Sequence, residues 1–314
     1  NRPAGDKRPK QIATIVQELG KKHGLKVSVK GRKELEKLGF GAMLGVTLGS
    51  DKEPQLVTIE LNAEKKEKPV VLAGKGVTFD AGGLQIKPGQ YMNDMKTDMG
   101  GAATVIGTMV ALARLGHKKR VIGAIGLVEN LLGPDAYKPG DIVTAYNGKT
   151  IEIGHTDAEG RLVLADVMSY MDKEYKPACI IDLATLTGAT VVALGYRVTS
   201  VLGNDEGLLQ SIKEASAKTD ELVWELPLHG HYNRLMEGEI SDLNNIGKKP
   251  GPYGGPGTIT AAAFLSNFVD KKTPWAHLDI AGTAYAFEES EYVQKGATGW
   301  GVRLLTQLLH EVQE

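Results

Sequence analysis

Pro69-Val70-Val71-Leu72-Ala73-Gly74-Lys75-Gly76-Val77-Thr78-Phe79-Asp80 opens the part of the chain from which the fold class follows. Val70 to Ala73 is a continuous apolar run, the pattern of a strand covered on both faces and not of one with a wet side. Downstream the theme repeats: helix over Gly100 to Leu115, buried strand over Arg120 to Val128, helix over about Gly160 to Tyr175, strand over Cys179 to Ala184. Helices follow near Gly207 to Ala217 and Thr260 to Phe268, then a strand at His277 to Ile280 and a last helix from about Gly299. Ile142 to Ile153 alternates around Asn147-Gly148, a hairpin signal. Strands alternating with helices imply an α/β fold with a mostly parallel, mixed central sheet and helices on both faces. A site in such a sheet belongs at the carboxyl ends of the strands.

Upstream, Ile12, Ile15, Val16 and Leu19 mark one face of an amphipathic helix over residues 9–23 that Gly20 or Gly24 can end. A short strand follows near Leu25 to Val29, then a charged helical turn around Arg32 to Leu38. A Gly-rich passage from Gly39 to Gly49 leads to an alternating strand over Gln55 to Leu61. Glu64-Lys65-Lys66-Glu67-Lys68 reads as a solvated hairpin tip. No repeat or linker divides the chain, so one domain over 1–314 is expected, with an entry helix and peripheral strands over 1–68 and the core over 69–314.

The 37 basic and 38 acidic residues leave a formal charge of -1 and no overall basic field for nucleic acid or an anionic membrane. Cys179 is the single cysteine, which excludes an intrachain disulfide, suits a reducing compartment, and in its apolar run reads as a buried structural thiol. Asn1 to Lys10 lacks the apolar stretch of a signal peptide, and no segment reaches the ~20 apolar residues of a membrane helix. A cytoplasmic protein is expected.

Three segments carry chemistry: Gly74 to Gly83 after the buried strand, Asp94 to Gly101 where a helix begins, and Thr156-Asp157-Ala158-Glu159-Gly160-Arg161 before another helix. Each is expected to put acidic groups on a strand-to-helix loop. A lone Asp there would be an N-cap or an Asx turn. Asp80, Asp98, Asp157 and Glu159 brought together would instead repel one another strongly unless cations join them. A divalent pair roughly 3.5–4 Å apart resolves that conflict and can activate water for hydrolysis without a protein nucleophile. Oxygen-rich ligation suits Mg, Mn or Zn. Asp157 and Glu159, two apart, can face one side. Lys75, between two glycines at the end of an apolar run, is hard to expose; Lys87 alone would read as a solvated charge. No His-Glu-x-x-His helix, Gly-x-Ser-x-Gly elbow or Cys-x-x-Cys pair offers another chemistry. A phosphate loop fails because Pro69 and Gly76 stand where Gly and Ser or Thr are needed. His229 and His231, the one close histidine pair, read as surface residues.

Thr156-Asp157-Ala158-Glu159-Gly160-Arg161-Leu162 is similar to the signature of the leucyl aminopeptidase family of metallopeptidases. The resemblance extends through Gly74 to Asp80, Ile86-Lys87-Pro88, Met95 to Met99, Asp182 to Gly188, Trp275 to Gly282 and Lys295 to Gly299, and covers essentially the whole chain. It implies a two-metal aminopeptidase in which Lys75, Asp80, Asp98 and Glu159 hold the tighter ion and Asp80, Asp157 and Glu159 the exchangeable one, as Zn or Mn, with Mg an option at the latter. Lys75 would ligate as the neutral amine. Lys87 would stay charged and stabilise the oxyanion, and Arg161 would hold a bicarbonate acting as general base. The substrate's first side chain would meet Met95, Thr185, Leu186, Gly188, Ala281 and Ala284, a small and apolar set suited to leucine-like residues. The resemblance also implies peptide substrates with a free N-terminus and a homo-hexamer.

Two departures from the family pattern stand out. Against the resemblance, the family's usual N-terminal domain is expected to be missing from this sequence, and His155 stands where the family usually has Asn before Thr156. His155 is expected to support the loop of Asp157 and Glu159 by donating a ring N–H to a backbone carbonyl, the alternative being a metal ligand that favours Zn. Some relatives of this family also bind DNA as regulatory or recombination accessory proteins. Near-neutral charge and the lack of a groove-reading motif weigh against that role, and the intact ligand set weighs against a catalytically silent scaffold.

Overall fold

The computed structural model describes residues 1–248, 255–290 and 292–311. Its elements in chain order are α1 (Pro9–His23), β1 (Lys26–Lys30), α2 (Arg32–Leu38), α3 (Gly41–Val46), β2 (Gln55–Leu61), β3 (Val70–Asp80), α4 (Gly89–Met92), α5 (Gly100–Arg114), β4 (Val121–Asn130), β5 (Ile142–Thr144), β6 (Thr150–Glu152), α6 (Gly160–Tyr175) and β7 (Cys179–Ala184). There follow α7 (Gly188–Leu194), β8 (Thr199–Gly203), α8 (Glu206–Thr219), β9 (Val223–Glu225), α9 (Gly230–Leu235), β10 (Leu243–Asn244), α10 (Gly257–Leu265), β11 (Trp275–Asp279), β12 (Tyr285–Ala286), β13 (Gly296–Ala297) and α11 (Val302–Glu311).

Eight strands form the main sheet in the order β1-β2-β4-β3-β7-β11-β8-β9. The central run β4, β3, β7 and β11 is parallel, while β2 joins β4 and β8 joins β11 antiparallel. The expected mixed α/β sheet is therefore present. Alternation on buried strands sends each strand to two cores: Val71, Ala73 and Val77 of β3 pack with α3, α6 and α10, whereas Leu72 packs on the side of α1, α5, α8 and α11. The hairpin expected at Asn147-Gly148 forms as β5–β6, in a separate three-stranded sheet with β10.

Several local expectations need correction. The charged run at 64–68 is largely exposed but is not a hairpin tip, because β2 and β3 do not pair; β4 lies between them and bonds to both. A short intervening loop looks the same in sequence whether its strands are neighbours or next-but-one. The glycine-rich passage at 39–49 holds the buried helix α3, stabilised from outside itself by Asp166, whose carboxylate accepts from Met43 N at 2.8 Å. Cys179 is half-buried at the start of β7 and not fully enclosed, though burial still pushes its thiol up to about 12.

Gly74 to Asp80 is strand and not loop. β3 continues to Asp80, with an irregularity against β4 between Val77 and Phe79. Lys75 and Asp80 are five apart and would point to opposite faces of a regular strand; an extra residue resets the alternation and brings both to one side.

Candidate metal centre

The carboxyl ends of β3, β4, β7 and β11 open onto one place, and the turns before α5 and α6 bring the remaining side chains to it. β3 carries Lys75 and Asp80, the turn at Met95–Thr97 presents Asp98, and the loop before α6 presents Asp157 and Glu159. Lys75 reaches its position beneath the start of α6 only because residue 160 is glycine: a Cβ there would lie 2.7 Å from Lys75 Nζ and overlap its stem. The sharp turn after β3 uses Gly82 at φ +90°, where a side chain would be strained and would also press on Asp157.

Oxygens of Asp80, Asp157 and Glu159 all lie within 4.8 Å of one another. Lys75 Nζ sits 2.8 Å from both Asp98 Oδ2 and Glu159 Oε1 and donates to Thr185 O at 2.9 Å. Lys87 Nζ bridges Asp80 Oδ2 at 2.8 Å and Asp157 Oδ1 at 2.5 Å. The structure thus brings all six charged groups together, with Asp98 joined through Lys75 and standing outside the close trio of carboxylates.

Burial and crowding of like charge raise the proton affinities of Asp98, Asp157 and Glu159. Burial, then repulsion from Glu159 and Asp80, pushes Asp98 up to about 8 against the pull of Lys75. Asp157 rises to about 6 through burial and Asp80, and Glu159 rises for the same two reasons. Burial alone would lower Lys75, but Asp98, Glu159 and Asp80 outweigh it and hold the ammonium charged. Ligation through Lys75 therefore has to displace a firmly held proton.

The donor set fits divalent cations. Asp98 Oδ2, Asp157 Oδ1 and Glu159 Oε1 are buried at ion-pair distance from the lysines without the alignment of a hydrogen bond, and buried Glu159 Oε2 has no hydrogen-bond partner. An unmatched buried carboxylate oxygen is costly, and a cation between the carboxylates relieves both that cost and their repulsion.

These features coincide with a family assignment. The family described as "Cytosol aminopeptidase family, catalytic domain" matches residues 1–306. This chain belongs to the cytosol aminopeptidase family. It is 50% identical over 312 residues to a probable cytosol aminopeptidase of Brucella melitensis biotype 1, covering 99% of this chain and 63% of the relative. A probable cytosol aminopeptidase of Gluconobacter oxydans is 50% identical over 297 residues, covering 95% of this chain and 59% of the relative. The chain thus spans about three-fifths of the length of these curated relatives. Among solved structures, the bottromycin maturation enzyme BotP in complex with Mn superposes with a TM-score of 0.94 at 39% identity, covering all of this chain and 68% of that one.

The other residues singled out from this cytosol aminopeptidase family sequence take definite places. Arg161 is buried in the first turn of α6; its Nη1 donates to Asn245 O at 2.7 Å and its Nε has no hydrogen-bond partner. Burial lowers it to about 10, with Glu159 and Asp279 acting to keep it charged. Thr185 Oγ1 donates to Asp98 Oδ1 at 2.7 Å. Thr185 and Ala284 close around the start of α5, where a Cβ on Gly100 would lie 3.0 Å from Ala284 Cβ and 3.1 Å from Thr185 Cγ2. Gly188 opens α7 with free space around its Cα, Met95 is half-buried in the turn before Asp98, and Leu186 and Ala281 bond through their backbone N–H to Asp279. His229 and His231 are exposed at the start of α9, as the sequence suggested.

The polar supports of the site have no local sequence signal. Asn130, buried at the end of β4, donates from Nδ2 to Asp80 Oδ1 at 2.8 Å and to Thr156 O at 3.1 Å. Tyr137 donates to the same carbonyl at 2.5 Å. Asn245 binds the loop before α6 from 90 residues away, accepting from Gly154 N and His155 N at 2.7 and 3.1 Å and donating to His155 O at 2.7 Å. Lys7, in the entry segment, donates to Thr78 O at 2.8 Å and Lys96 O at 2.5 Å, clasping β3 to the turn of Asp98.

His155 Nδ1 accepts from Asp157 N at 3.1 Å, a bond within its own loop. Asparagine can accept the same bond through its side-chain oxygen. His155→Asn is expected to change kcat/KM by less than about tenfold, or about 1.4 kcal/mol, and to leave metal stoichiometry unchanged. Loss of an ion on elemental analysis would make His155 a ligand.

Proposed function

We propose that this chain is a metal-dependent aminopeptidase that removes single leucine-like residues from peptide N-termini. The observation that carries the reading is the convergence of Asp80, Asp157 and Glu159 within 4.8 Å beside the Lys75–Asp98 pair. Lys75, Asp80, Asp98 and Glu159 would hold one divalent ion and Asp80, Asp157 and Glu159 a second, exchangeable one. The ions are Zn or Mn, with Mg an option at the exchangeable site; a Mn complex is known for the structural relative BotP. Bound divalent ions supply Lewis-acid polarisation of the scissile carbonyl and an acidified water.

The chain's own groups account for the rest. Lys87 is held charged by Asp80, Glu159 and Asp157 in spite of burial, and keeps 14% of its side chain exposed where Lys75 keeps 4%. It is the cation placed to meet the negative charge that develops on the substrate carbonyl oxygen. Arg161 has an unused buried N–H with which to hold a small anion such as bicarbonate as general base. Thr185, Ala284 and Met95, with Leu186, Gly188 and Ala281, form a small apolar pocket for the first side chain. Discrimination among apolar residues there would be modest, about 1–3 kcal/mol per methylene. A cytoplasmic setting and a homo-hexamer belong to the same proposal, and light scattering on the full chain decides the latter. No helix among the described residues is long and apolar enough to cross a membrane.

Hydrolysis of a leucine chromogenic amide tests the reading. Chelation should abolish turnover, added Mn or Zn should restore it, and the N-acetylated amide should resist cleavage because acylation removes the lone pair with which a free amine can ligate. Full activity in protein shown metal-free by elemental analysis would refute the metal dependence, and equal cleavage of the blocked amide would refute exopeptidase action.

A further inference from the structure

The two loops assigned above to the side-chain pocket, 185–188 after β7 and 280–284 after β11, meet at one buried carboxylate. Asp279, the last residue of β11, is fully buried. Its Oδ1 accepts from Leu186 N at 3.1 Å, Thr187 N at 3.4 Å and Ala281 N at 3.3 Å. Its Oδ2 accepts from Thr187 Oγ1 at 2.6 Å. An aspartate that only turned its own chain would need the bond to Ala281 alone, two residues on. The other three cross to a loop 92 or 93 residues away. Parallel pairing of β11 with β7 puts Asp279 beside Ala184, so the carboxylate sits directly below the point where both chains leave the sheet. The 280–284 loop also lies against the far end of α7, where the backbone at Gly282 is too close to Gly195 O to admit a Cβ. Thr187 in turn caps α7, accepting from Thr190 N at 3.3 Å, so the same hydroxyl that reaches Asp279 sets the start of the helix carrying Gly188.

We propose that Asp279 is a positioning residue for substrate selection, its carboxylate holding the 185–188 and 280–284 loops at the spacing that makes their pocket fit a leucine-like side chain in preference to a smaller one. The proposal rests on the pocket assigned in the preceding reading. Asp279 lies under the loops and touches no substrate. Buried charge-assisted bonds of this kind are strong and directional, and a pocket wall that drifts loses contact with a large side chain before a small one.

The test uses the full chain and three variants. Asp279→Asn removes the charge and leaves one acceptor oxygen, which cannot accept from both the backbone N–H groups of the loops and the Thr187 hydroxyl. Thr187→Val removes that hydroxyl, and Thr187→Ser restores it. Calorimetric Kd values for L-leucine and L-alanine read selection without requiring turnover, and hydrogen exchange followed by mass spectrometry reads the loops. Asp279→Asn and Thr187→Val are expected to lower the leucine-over-alanine preference by about tenfold, with faster exchange in both loops and unchanged exchange in β3 and β4. Thr187→Ser should retain the preference. A preference that survives both Asp279→Asn and Thr187→Val, or exchange at 185–188 that does not rise, overturns the role of Asp279 alone. An unmodified chain that binds leucine no more tightly than alanine removes the pocket itself, and this role with it.

Discussion

Glu159→Ala is expected to lower leucyl-amide hydrolysis by at least about 10³-fold and to abolish metal occupancy. Glu159 is the carboxylate that touches both halves of the site: it pairs with Lys75 at 2.8 Å and belongs to the close trio with Asp80 and Asp157. Lewis-acid stabilisation amounts to several kcal/mol, and each 1.4 kcal/mol or so is a factor of ten in rate. Asp98→Ala should behave alike, since without it Lys75 loses the neighbour that Thr185 Oγ1 orients at 2.7 Å. The same metal titrations carry a pH signature. To ligate, Asp98, raised to about 8, and Asp157, raised to about 6, would both have to give up protons, and so would Lys75, which is charged across this whole range. Uptake should therefore release protons and weaken as pH falls, more steeply below 8 and again through 6. Elemental analysis of dialysed protein decides the first point: ions retained at full stoichiometry in Glu159→Ala would remove it from the ligand set.

Lys87→Ala should cost roughly 10²–10³ in kcat while both ions stay. Lys87 Nζ lies between Asp80 and Asp157, and an ammonium there competes with cations for the same oxygens. Its removal leaves those carboxylates free for metal, so affinity should hold or tighten as the rate falls. A variant that empties a metal site would assign Lys87 a structural place in the centre instead of an electrostatic one in the reaction. The contrast with Glu159→Ala separates a ligand from a cation that faces the substrate.

How far each residue could be read beforehand follows from the range of the interaction that places it. The α6 boundaries and those of β7 coincide with expectation because helical periodicity and a short apolar run are properties of neighbouring residues. The placement of Asp157 and Glu159 together just before α6 was legible for the same reason, being a local arrangement. The irregularity at Val77 and Phe79 was not legible, since it depends on how β3 meets β4, and with it went the recognition that Lys75 and Asp80 share a strand. Asn130, Asn245 and Asp279 were not singled out as site supports, because a buried polar residue and an exposed one are the same letter in a sequence.

The alternation of strands and helices, the lack of an intrachain disulfide and the stock of carboxylates and lysines that points to divalent metal can all be read from the residues in order. The folded chain was needed to see that β4 lies between β2 and β3, that Lys75 pairs with Asp98 and Glu159 while Lys87 pairs with Asp80 and Asp157, and that Asp279 bonds to a loop 92 or 93 residues away. Local patterns come from steric and solvation preferences that act within a few residues. Pairings across the chain depend on sheet order and loop closure, whose entropy cost varies only slowly with the length of the chain between partners and so leaves no mark on either one.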